Sequence, residues 1–102
     1  MSAFIHAITL KAKPGRLGDA RAAVADLAAR AEAQGASVRL MVSMAGDTSE
    51  AVLVIEFESG EAWATLMQSD EVREARRARF EDDYPMVVIN TSVFQELAIN
   101  PS

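Results

Sequence analysis

The chain has 102 residues, of which 50% are hydrophobic and 25% charged, with a formal net charge of -5, no cysteine and a single histidine. Such a composition fits one globular domain spanning residues 1–102 and not a disordered or membrane chain. It excludes disulfides, thiol nucleophiles and Cys-ligated metals, and it makes a phosphate backbone an unexpected partner, because nucleic-acid binding draws on Lys and Arg.

Residues 3–12 are apolar and β-branched and run into Pro14-Gly15, so they read as a strand followed by a turn. From Arg16 to Gln34 the period changes: Leu17, Ala20, Val24, Leu27, Ala28 and Ala31 recur at helical spacing, and Gly35 is the expected stop. Residues 38–45 alternate again, Gly46-Asp47 supplies a turn, and residues 51–58 form the next strand of a hairpin. Ser59 reads as the N-cap of a second helix over residues 60–80, with Ser69-Asp70-Glu71 as a fresh start inside it. The segment 84–97 closes the chain as a strand, with Pro85 near its beginning where a missing N–H is tolerated.

The order β-α-β-β-α-β predicts an α+β, ferredoxin-like fold, a four-stranded antiparallel sheet with two helices on one face. Phe4, His6, Ile8 and Leu10 share one face of the first strand, yet Ile5, Ala7 and Thr9 opposite them are scarcely polar; Val52 and Val54 repeat this against Leu53 and Ile55. Two helices cover one face only. A second copy of the same sheet is the simplest cover for the other, so a homodimer is expected.

Chemistry is sparse in the sequence. One histidine excludes sites that need two, and no nucleophile elbow or phosphate loop occurs. Gly15-Arg16-Leu17-Gly18 has the GxxG spacing of one RNA-binding loop but reads better as a turn, and the strand AVLVIEFE lacks the aromatics of an RNA-recognition sheet. His6 reads either as a packed core residue bonded to a neighbour or as a buried, neutral base. Arg76 on EVREARRARFEDD reads either as a solvated helix residue or as a cation for a developing negative charge. Trp63 and Met67 fall at helical spacing, and with Phe57 and Phe80 they read as core or as the edge of an apolar slot between sheet and helices. Glu56 points to the opposite face, with Arg39 or Lys11 as its expected partner. No leader or apolar run long enough to span a bilayer is seen, which leads to the expectation of a cytoplasmic protein without a membrane partner.

Nearly the whole chain resembles the dimeric α+β barrel proteins, in the group of the antibiotic-biosynthesis and heme-degrading monooxygenases. The segments that carry the likeness are AITLKAKPGR, VIEFESGEAWATLMQSDEVREARR and the six-element order. In heme-degrading members an Asn, a Trp and a heme-ligating His surround the heme; aligned on these segments, His6, Phe57 and Arg76 stand in their places. All three differ, so the likeness gives heme no ligand here and no cofactor is expected. The alignment implies that His6, Phe57 and Arg76 face one pocket. What the resemblance implies is a cofactor-independent monooxygenase of an apolar aromatic or polyketide-like molecule, with His6 and Arg76 catalytic and Phe57, Trp63, Met67 and Phe80 around the substrate. A cyclase or isomerase with the same base, or a noncatalytic binding barrel, is the alternative.

Overall fold

Strand β1 (Phe4–Ala12) lies inside the sheet, where its β-branched residues suit a pleated, half-buried surface. A computed structural model describes residues 3–97 and 99; the single-domain expectation for residues 1–102 extends beyond them at both ends. After a turn at Gly15, which takes a positive φ of 73°, α1 (Leu17–Ala33) begins. The Arg16 side chain ties this start to the far end of the chain, bonding both Asp19 (2.8 Å) and the backbone carbonyl of Asp83 (3.0 Å).

Gly35 ends α1 as its position predicts. Its φ of 90° lets Ala36 N–H reach the Ala31 carbonyl and Gly35 N–H the Glu32 carbonyl, the paired bonds of a Schellman cap. Strands β2 (Ser37–Val42) and β3 (Glu50–Phe57) then form the hairpin. β2 is shorter than the alternation suggests: Ser43 N–H still reaches the Glu50 carbonyl (3.1 Å), but its hydroxyl donates to the Ala45 carbonyl (2.6 Å) and Gly46 takes φ 74°, so the chain turns there.

The second helical stretch is two helices, α2 (Gly60–Met67) and α3 (Asp70–Ala78). Ser59 caps α2 by accepting from Ala62 N–H (3.1 Å). Ser69 makes the break: its backbone is extended, its hydroxyl donates to the Leu66 carbonyl that ends α2, and the same oxygen accepts from Val72 N–H at the start of α3. Three helices therefore stand where two are expected. β4 (Met86–Gln95) completes the sheet, in the order β2-β3-β1-β4, all antiparallel. It starts after Pro85, whose carbonyl accepts from Lys13 N–H, and Ile89 bulges from the ladder where the register slips between Thr9 and Leu10.

The core fills the space between one sheet face and the helices. Leu10, Leu53, Ile55, Phe57 and Met86 from the strands meet Ala20, Val24, Ala31 and Leu66 from α1 and α2. Register places Ile5, Ala7 and Thr9 on the other face, beside Val52, Val54 and Glu56 of β3 and Phe94, Ser92, Asn90 and Val87 of β4. No helix covers that face, and Phe94, Val87 and Met41 stand exposed on it. Glu56 has neither expected partner: Lys11 pairs with Asp47 at 2.6 Å, and Glu56 enters no ion pair among the described residues.

Candidate functional site

β1 carries His6 on its helix-facing side because the residue lies two positions from Phe4 and from Ile8, and its strand partner Ile55 is a core residue. The imidazole is only 5% exposed. Trp63, on the first turn of α2, stands behind it: Nε1 of the indole lies 3.0 Å from Nδ1 of His6. An indole nitrogen only donates, so Nδ1 is the acceptor and the neutral ring carries its proton on Nε2. That Nε2 is buried and has no hydrogen-bond partner among the described residues. Burial holds the His6 pKa below its ordinary value of 6.5, and the nearby charges of Arg76 and Arg79 add to the depression.

His6 is part of the wall of a cavity of about 290 Å³. The sheet contributes Ile8, Leu53 and Ile55, α1 contributes Leu27 and Ala31, and Leu66, Met67, Val72 and Ala75 come from α2 and α3. Charge enters from the helices: Arg30, Arg76 and Arg79 line the space together with Glu71, while Tyr84 brings a hydroxyl. Burial raises the Tyr84 pKa above its ordinary value, so the phenol is neutral near pH 7. Apolar walls with a few convergent polar groups are the usual make-up of a small-molecule site.

Of the residues singled out from the sequence, His6, Met67 and Arg76 line this cavity. An Arg76 nitrogen lies 3.3 Å from the Met67 sulfur, which joins α3 to the end of α2. Phe57 is buried in the core and Trp63 packs against Phe4, with ring centroids 5.4 Å apart; neither lines the cavity. Phe80 is a correction. It lies past the end of α3 at Ala78 and is 79% exposed, outside the cavity between sheet and helices. Of the two readings of His6, packed residue bonded to a neighbour or neutral base, the structure adds a detail to the first: His6 accepts from Trp63, and the lone pair a base would use is occupied.

Arg79, Arg30, Glu71 and Tyr84 were not singled out. Val72, Arg76 and Arg79 follow the i, i+4, i+7 rule, so Arg79 was visible as a neighbour of Arg76 on one helix face. Arg30 and Tyr84 reach the cavity only through the packing of α1 and the approach to β4 on the sheet, which no local spacing records.

No family model and no curated protein matches the chain. Solved structures do. A protein of unknown function from Bacteroides thetaiotaomicron, named a "possible oxidoreductase", superposes with a TM-score of 0.74 at 10% identity over 93% of this chain and 98% of its own. Two proteins each named a "putative antibiotic biosynthesis monooxygenase" follow. The one from Deinococcus radiodurans has a TM-score of 0.72 at 14% identity, covering 98% of this chain and 95% of its own. The one from Bordetella bronchiseptica has a TM-score of 0.65 at 22% identity, covering 98% and 100%. Identities this low establish architecture and not activity: the chain has the ferredoxin-like α+β fold of the structures that carry the antibiotic biosynthesis monooxygenase name.

Proposed function

We propose that the protein is a cofactor-independent monooxygenase of an apolar, enolisable aromatic or polyketide-like small molecule, and that it works as a homodimer. The observation that carries this reading is the buried Nε2–H of His6, without an acceptor among the described residues, in the wall of an apolar cavity that two unpaired arginines also line. A fixed donor in a low-dielectric wall suits an oxygen that gains negative charge during reaction, and an enolate oxygen is such a group. The names of the solved structures that share the fold agree with oxygen chemistry.

In this reading the substrate supplies every electron. Glu71, the one carboxylate on the cavity wall among the described residues, removes a proton from an activated methylene, and His6 N–H stabilises the enolate oxygen. The carbanion then adds O2. The methylene exchanges both C–H bonds for a C=O; one oxygen atom enters the product and the other leaves as water, so the four electrons accepted by O2 all come from that carbon. The unpaired apolar face around Phe94, Val87 and Met41 supports the second copy.

Oxygen uptake with anthrone, without added metal or flavin, tests the reading. One O2 consumed per anthraquinone formed is expected, with kcat lowered about 100-fold in His6→Leu and in Glu71→Gln. His6→Gln, which keeps a donor, falls between. Turnover of the probe without oxygen uptake would identify a cyclase or isomerase, and binding without turnover a carrier; either result defeats the monooxygenase.

A further inference from the structure

The cavity wall carries three arginines and one glutamate in a chain whose net charge is -5, so its positive lining is a local departure from the average. Ion pairing does not use it up. Arg30 is engaged by Asp26 at 3.0 Å, but among the described residues neither Arg76 nor Arg79 has a carboxylate partner. The closest acceptor recorded for Arg76 is the Met67 thioether, a poor one, and the Arg79 guanidinium lies over the Phe80 ring at 5.4 Å. Both guanidiniums thus keep hydrogen-bonding capacity at the edge of an apolar space. On the inside, His6 is 5% exposed and its buried Nε2–H has no acceptor among the described residues.

We propose that the cavity selects an acid: an apolar ring system whose carboxylate is held by Arg76 and Arg79 while a second oxygen, farther along the molecule, accepts from His6 Nε2–H. The inference rests on reading the cavity as a substrate site and supplies the substrate's chemical class. Planar guanidiniums match a carboxylate with paired N–H donors, which a single enolate oxygen does not require. Charge at one end and a hydrogen-bond acceptor at the other also fix which end of a flat molecule enters first. The carboxylate stays with the arginines at the helix side, and the reacting ring lies against the sheet.

Calorimetric titration with 2-naphthoate and with its uncharged isostere 2-naphthamide tests this. The acid is expected to bind at least about tenfold tighter, one charge-assisted pair's worth after allowance for solvent screening. That preference should vanish in the Arg76→Gln/Arg79→Gln double variant and persist in Arg77→Gln, whose side chain lies on the same helix outside the cavity. Equal binding of acid and amide, absence of binding by both, or equal loss in Arg77→Gln would overturn the proposal. Calorimetry needs no turnover, which separates the two readings. Acid preference without oxygen uptake defeats only the monooxygenase, and uptake without acid preference defeats only the acid.

Discussion

Proton placement on His6 follows from its neighbour, because an indole nitrogen has nothing to accept with. Protonating Nδ1 would set two N–H groups against each other in a buried place already bearing the fields of Arg76 and Arg79, so the folded protein resists the proton while the unfolded chain does not. The sign follows directly. A histidine whose folded pKa is depressed contributes full stability above its unfolded value of about 6.5, and stability falls with pH from there until the folded pKa is passed. The slope is at most about 1.4 kcal/mol per pH unit. Melting temperatures measured from about pH 7.5 down to about pH 5.5 should therefore decline in the native protein and flatten in His6→Gln, which still offers Trp63 an acceptor. An equal decline in both would place the acid sensitivity elsewhere. The sequence already separated His6 from the polar residues by its apolar strand. What it did not show was the bond from Trp63, 57 positions away, which decides between base and donor.

Helices α2 and α3 position the site's charges, and the junction between them depends on one hydroxyl. Ser69 closes α2 through Leu66 and opens α3 through Val72, so Ser69→Ala removes two bonds at once. A loss of about 1–2 kcal/mol, read as a lower urea midpoint at unchanged m-value, is expected. An unchanged midpoint would mean that packing alone sets the junction. The break itself was legible, since Ser-Asp-Glu is a helix-start signal wherever it occurs. The end of α3 was not: nothing in ARRARFEDD marks Ala78 as the last helical residue, and the helix read to residue 80 stops before Phe80. Strand ends misread for the same reason, as in β2, which ends at Val42 although alternation continues to residue 45, and where the Ser43 hydroxyl bonds within the turn.

Across the molecule, the sheet has one covered face and one bare one. Ile5 faces Glu56 and Phe94 across the two ladders, and the 55% exposure of Phe94 in the single chain is an apolar surface that water solvates poorly. A charge there should abolish self-association while leaving the helix-facing core untouched. Sedimentation at micromolar concentration is expected to give a dimer for the native protein and a monomer for Phe94→Asp, with a lower melting temperature in the variant. A native monomer would show that this face is left bare or serves another partner. Among the described residues no helix is long and apolar enough to cross a membrane.

By itself the sequence determined the element order, the antiparallel ferredoxin-like sheet and the identity of its two apolar faces, because these follow from periods of 2 and 3.6 that are written locally. It also marked His6, Met67 and Arg76, each conspicuous against its own segment. Tertiary structure alone decided that Arg79, Arg30, Glu71 and Tyr84 share a cavity with them, and that Trp63 takes the His6 lone pair and leaves the proton on Nε2. Those facts depend on contacts between residues distant in the chain, and their geometry exists only once the helices have settled on the sheet.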